Sequence, residues 1–220
     1  MSRPSTAALI PAAGTGERLG MGPKAFVCLG QKTLLMHVVD AFDGLVDEIV
    51  VAVSPEMVNE ASGRISNARM IVGGSSRQAT VLNLLRATAA ELVIVHDAAR
   101  PFLEPAVIDR TLAATRRHGA VTAARPVVDS LIDTTSQMSV DREKLRAVQT
   151  PQGFRHELLL RAHLRAFEGG YSATDDAALV RRLGHEVALV EGSPMLMKVT
   201  TLQDLEMARA LERSWCRADT

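Results

Sequence analysis

The chain has 220 residues, with 25 lysines and arginines balancing 25 aspartates and glutamates, and only 3% of it is aromatic. Zero net charge lacks the basic excess that advertises a nucleic-acid binder, and no apolar run approaches the ~20 residues needed to span a bilayer. The expectation is a soluble, cytoplasmic α/β protein, one domain over residues 1–220, packed by Val, Leu, Ala and Ile, with neither nucleic acid nor membrane as partner.

In chain order, Ala7 to Ile10 is the first predicted strand and ends at Pro11. Leu34 to Phe42 reads as a helix, Glu48 to Val53 as a β-branched strand, Arg69 to Val72 as a short strand stopped by Gly73-Gly74, and Arg77 to Ala89 as a helix. Leu92 to Val95 is a further strand, Pro105 to Arg117 a helix and Ala120 to Ala124 another strand. This β-α-β-α rhythm predicts a doubly wound, mostly parallel sheet. The rhythm then breaks: Asp129 to Gln149 is polar, and Leu131-Ile132 and Leu145 to Val148 flank it like the arms of a protruding hairpin. A lone hairpin is marginal in water, so this one is either mobile or packed on a partner such as a second subunit. Helices follow over Glu157 to Phe167, Thr174 to Leu183 and Leu202 to Ser214, with strands over Val187 to Val190 and around Met197 to Val199.

Ligands of such sheets bind at the carboxyl ends of the strands, where unusual residues recur. After the first strand comes Pro11-Ala12-Ala13-Gly14-Thr15-Gly16-Glu17-Arg18-Leu19-Gly20-Met21-Gly22-Pro23-Lys24. Gly14 and Gly16 let backbone N–H groups approach phosphate oxygens, and Arg18 and Lys24 add one forked and one compact cation, a set suited to a triphosphate. The loop fits neither rival phosphate motif. Gly20 comes one position late for a dinucleotide fingerprint, and Pro23-Lys24-Ala25 is not the Gly-Lys-Ser/Thr of a Walker loop. His96-Asp97 invites a catalytic dyad, but neighbouring strand residues face opposite ways. The two cysteines, Cys28 and Cys216, and the remaining histidines form no metal-ligand spacing.

Ile10 to Arg18 with Pro23-Lys24, then Val95-His96-Asp97-Ala98-Ala99-Arg100-Pro101, Gln149-Thr150-Pro151-Gln152-Gly153-Phe154, Thr174-Asp175-Asp176-Ala177 and Lys198-Val199-Thr200 follow one another in an order that resembles the 2-C-methyl-D-erythritol 4-phosphate cytidylyltransferase family. The resemblance spans about residues 6 to 212 and implies a Rossmann-like nucleotidyltransferase fold and transfer of CMP from CTP to a polyol phosphate with magnesium or another divalent cation such as manganese. It implies Arg18 and Lys24 as the catalytic pair. Nucleotide contacts fall on Ala12, Ala13, Gly14, Thr15 and Gly16, on Gly73, Gly74, Ser75 and Thr80, and on Asp97 and Ala98, with Asp97 also the candidate metal contact, direct or through water. Acceptor contacts fall on Arg100, Thr174 and Lys198, and on Ser130 and Arg142 of the arm, at about residues 130–150, which the resemblance implies is shared across a homodimer. The chain departs from the family's usual residues at Ser75, Thr80 and Leu196. Two other readings stay open: a ribitol 5-phosphate cytidylyltransferase, and a non-catalytic nucleotide-binding module of the same fold.

Overall fold

In the computed structural model, residues 4–16 and 19–218 are described, with side chains as far as Trp215. The strands are β1 (Thr6–Pro11), β2 (Cys28–Leu29), β3 (Lys32–Thr33), β4 (Glu48–Val53), β5 (Arg69–Val72), β6 (Leu92–Val95), β7 (Ala120–Pro126), β8 (Leu131–Ile132), β9 (Ser139–Val140), β10 (Arg146–Arg155) and β11 (Ala188–Glu191). The helices are α1 (Leu34–Phe42), α2 (Val58–Arg64), α3 (Arg77–Ala87), α4 (Pro105–His118), α5 (His156–Glu168), α6 (Asp176–Arg182) and α7 (Leu202–Ala218). Seven strands form the main sheet in the order β11-β7-β10-β6-β1-β4-β5. β10 alone runs antiparallel to its neighbours β6 and β7, so the mostly parallel, doubly wound expectation holds.

The continuous apolar strands follow from burial on both faces. Along β1, Ala8 and Ile10 pack with α1 and α4, whereas Ala7 and Leu9 pack with α3, α5 and α6. A third cluster joins Leu29, Phe102, Val199 and Leu205, seating α7 against the small β2–β3 hairpin. Among the described residues, no helix is long and apolar enough to cross a membrane.

Four expectations need correction. Leu145 to Val148 is not the second arm of the hairpin. Asp133 accepts hydrogen bonds from the backbone of Thr135 and Ser136, and Gln137 adopts φ 58°, closing a tight turn that pairs Leu131 with Val140 and Ile132 with Ser139. Residues 146–148 instead run along β7, Arg146 opposite Pro126. Met197 to Val199 forms no strand: Leu196 and Val199 are the fully buried residues, a spacing of three that breaks strand alternation. The predicted helix over Thr174 to Leu183 starts only at Asp176, because Asp175 caps it by accepting from Ala178 N. The helix predicted to Ala89 ends at Ala87.

Candidate active site

The loops after β1, β5 and β6 converge on a cleft of about 560 Å³ lined by residues 11–16, Lys24, Gly74 to Arg77, Thr80, Asp97 to Ala99, Lys198 and Thr200. Two glycines let the walls approach one another. Gly16 has φ +73°, and a Cβ there would lie 2.6 Å from Gly22 O and 2.8 Å from Lys24 Cβ, so the loop can fold Lys24 back over itself only with glycine at this position. A Cβ on Gly73 would lie 2.4 Å from Ala13 Cβ, so this glycine lets the β5 loop close against the β1 loop. Lys24 opens a turn of 3-10 helix, Lys24–Phe26, directly after Pro23. Arg18 lies outside the described residues.

Thr80 is buried, and its hydroxyl is spent inside its own loop. It accepts from Gly74 N at 3.0 Å and donates to Ser76 O at 2.8 Å. Ser76 caps α3 by accepting from Ala79 N. Leu196 is packed in the core, and its carbonyl accepts from Arg100 Nη1.

A smaller cleft of about 250 Å³ adjoins the first and is lined by Arg77, Asp97, Arg100, residues 148–150, Gln152, Thr174, Asp175 and Lys198. Arg77, Asp97 and Lys198 line both clefts and so form their common border. Lys198 Nζ is 2.8 Å from Asp97 Oδ2, Arg77 Nε is 3.3 Å from Oδ1, and Arg100 Nε is 3.7 Å from Oδ2. Burial alone would raise the Asp97 pKa, but the charges of Arg77, Lys198 and Arg100 hold it far below the usual carboxylate range. A permanently ionised carboxylate with three cations around it is thus set where the clefts meet.

His96, beside it, is fully buried and takes no part in a dyad. Asp97 N–H donates to Thr150 Oγ1, whose own hydroxyl hydrogen is then free for His96 Nδ1 at 3.1 Å, while His96 Nε2–H donates to Arg100 O. That chain requires a neutral imidazole, and burial pushes its pKa down to about 4. An unfolded histidine titrates near 6.5. The unfolded state therefore binds the extra proton first, and stability is lost as pH falls from about 6.5 towards 4, by up to about 3 kcal/mol. Urea midpoints across that window are expected to decline in the wild type and to decline less in His96→Asn; parallel slopes would assign the loss to other groups.

The structure brings together most residues expected at the site: residues 12–16, Lys24, Gly74, Ser75, Thr80, Asp97, Ala98 and Lys198 line the larger cleft, and Arg100 and Thr174 the smaller. Gly73 stands behind the larger cleft, against Ala13. Ser130 and Arg142 are not among them. Both are exposed on the arm, where Arg142 Nη1 donates to Val128 O. Sequence reasoning missed Arg77, Thr150 and Gln152 as members of the site. Arg77 follows a capping serine and looks like a solvated first-turn residue; only the cost of a cation at a helix N-terminus hinted at a partner.

Asp97 is the sole carboxylate among the described residues lining the larger cleft, and no group of three or more His, Cys, Asp or Glu side chains is placed to hold a metal among the described residues. This donor set suits a magnesium ion bound by one carboxylate together with nucleotide phosphates, and does not suit an all-protein cage.

The sequence model of the 2-C-methyl-D-erythritol 4-phosphate cytidylyltransferase (IspD) family matches residues 6–214. The chain belongs to this family. It is 54% identical over 213 residues to the Deinococcus radiodurans 2-C-methyl-D-erythritol 4-phosphate cytidylyltransferase, covering 96% of this chain and 90% of that protein. It is 45% identical over 210 residues to the Thermus thermophilus protein of the same name, covering 94% and 97%. The crystal structure of a T. thermophilus 2-C-methyl-D-erythritol 4-phosphate cytidylyltransferase superposes with a TM-score of 0.84 at 42% identity over 95% of this chain and 99% of that one. The Francisella tularensis enzyme, at 27% identity over 94% and 99%, gives a TM-score of 0.80.

Proposed function

We propose that this chain transfers CMP from CTP to 2-C-methyl-D-erythritol 4-phosphate, giving 4-diphosphocytidyl-2-C-methyl-D-erythritol and pyrophosphate, in isoprenoid precursor biosynthesis. The reading rests on the pair of adjoining clefts whose common border is the Asp97 carboxylate with Lys198 and Arg77, in a chain of this family. Family membership favours methylerythritol phosphate over ribitol 5-phosphate as acceptor and catalysis over mere binding.

CTP occupies the larger cleft, its triphosphate against the N–H groups of residues 12–16, with Arg18 and Lys24 neutralising charge at the α-phosphate. The small residues Gly74 and Ser75 admit a pyrimidine edge, and Gly73 behind them lets their loop close against Ala13. The acceptor occupies the smaller cleft beside Arg100, Thr174 and Lys198. A phosphate oxygen of the acceptor forms a bond to the α-phosphorus as the bond to the bridging oxygen breaks, and pyrophosphate leaves with that electron pair. A phosphate monoester is already largely dianionic near neutral pH, its second pKa being about 6, so the step needs no general base. The protein contributes positioning and charge neutralisation. Asp97, together with the CTP phosphates, would hold a magnesium ion, which would supply further charge neutralisation.

The arm exposes Val128, Ile132 and Met138 by 66%, 61% and 67%, surface that supports its role as a grip on a second subunit whose acceptor site receives Ser130 and Arg142. Arg142→Ala is expected to raise the acceptor KM about tenfold, near the scale for losing one charge-assisted hydrogen bond, and to leave CTP affinity unchanged. Unchanged acceptor kinetics would place the acceptor phosphate elsewhere. The reaction itself is tested by pyrophosphate release, which should require CTP and the methylerythritol phosphate together; release with CTP alone would indicate a hydrolase.

A further inference from the structure

Arg77 occupies the first position of α3, where the helix dipole disfavours a cation. Two carboxylates compensate for that placement. Its Nε faces Asp97 at 3.3 Å, and its Nη2 is 2.8 Å from Oδ2 of Asp176. Asp176 is 1% exposed and lies in the first turn of α6; its other oxygen, Oδ1, is 2.9 Å from Nε2 of His163, also 1% exposed, on α5. A continuous row thus runs from Lys198 through Asp97, Arg77 and Asp176 to His163. Gln152 reinforces the same helix start, accepting from Ala177 N and donating to Asp175. Thr174, in the acceptor cleft, immediately precedes this pinned turn.

We propose that Arg77 is a positioning residue that ties the two clefts together, its guanidinium anchored from behind by the Asp176–His163 pair so that Asp97 and the Thr174 end of α6 are held at a fixed separation. The proposal rests on the reaction assigned above. It follows that Arg77 and Asp176 act as one unit, and that the loss falls on bringing acceptor and nucleotide together, not on nucleotide binding. A lysine at position 77 cannot replace the fork, because a single ammonium lacks the planar, two-sided grip.

The test is a kinetic double-mutant cycle on full-length protein with Arg77→Met, Asp176→Asn and both together, with Arg77→Lys as control. Folded fraction is fixed by urea midpoints, and CTP affinity is measured by calorimetry. Each single variant is expected to lose about tenfold in kcat/KM for the acceptor, with CTP Kd within about threefold of wild type, the scale of coupling between residues of one ion-pair network. The double variant should lose little more than either single one, and Arg77→Lys should resemble Arg77→Met. Should Asp176→Asn fail to fold, the Arg77 pair alone still decides. Wild-type kinetics in Arg77→Lys, additive losses in the double variant, or a loss confined to CTP affinity would each overturn the proposal. A wild-type protein that turns over no acceptor would instead overturn the assigned reaction, and this inference with it.

Discussion

Lys24→Ala is expected to lower kcat by about 10²–10³-fold, the scale for removing one preorganised donor at developing charge. Pro23 ends the loop, Lys24 begins a single turn of 3-10 helix, and Gly16 lets the loop close against Lys24, because a Cβ at position 16 would lie only 2.8 Å from Lys24 Cβ. Lys24 is thereby fixed on the cleft wall that receives the triphosphate. Charge moves onto the bridging oxygen beside the α-phosphorus as pyrophosphate departs with the bonding pair, so the loss should fall on kcat more than on the KM for CTP. Fold stability should change by less than about 0.5 kcal/mol, as for a part-exposed side chain outside the core. Arg18→Ala should behave similarly. Turnover within about tenfold of wild type for Lys24→Ala would remove it from the chemistry.

Asp97→Asn should damage both stability and turnover. Three cations, Lys198, Arg77 and Arg100, face this carboxylate, and the amide would leave their charges without their common counter-ion. Breaking a buried pair by removing one partner costs about 3–5 kcal/mol. The lower figure is expected here, because Lys198 is 41% exposed and Arg77 retains Asp176. Lys198 also loses its orienting partner, and kcat/KM is expected to fall about 10²-fold. Urea midpoints together with steady-state kinetics check both effects. A variant as stable and as active as wild type would mean that the cluster is held by other contacts.

The parallel strands were legible because burial on both faces turns them into unbroken apolar runs, as in Glu48–Val53 and Leu92–Val95. The glycine loop was legible because close backbone approach leaves glycine little substitute. β10 was not, since its middle, Gln149-Thr150-Pro151-Gln152, is polar. Those side chains are buried because they bond neighbouring segments: Gln149 to Ser193 and Gln152 to Thr122 and Asp175. α2 was missed because Ser62 and Gly63 weaken its pattern and it buries only Ala61. At the site, the residues on strand-end loops could be picked out one by one. The Asp97–Arg77–Asp176 linkage could not, because its members come from three distant segments and each has an ordinary local use as a cap or first-turn residue.

The assigned reaction stands or falls on kcat/KM for pyrophosphate release with magnesium and CTP, offering 2-C-methyl-D-erythritol 4-phosphate and ribitol 5-phosphate in parallel. Efficient release with the methylerythritol phosphate and little with ribitol phosphate is expected. Preference for ribitol phosphate, or release with neither while CTP still binds, would contradict the assignment.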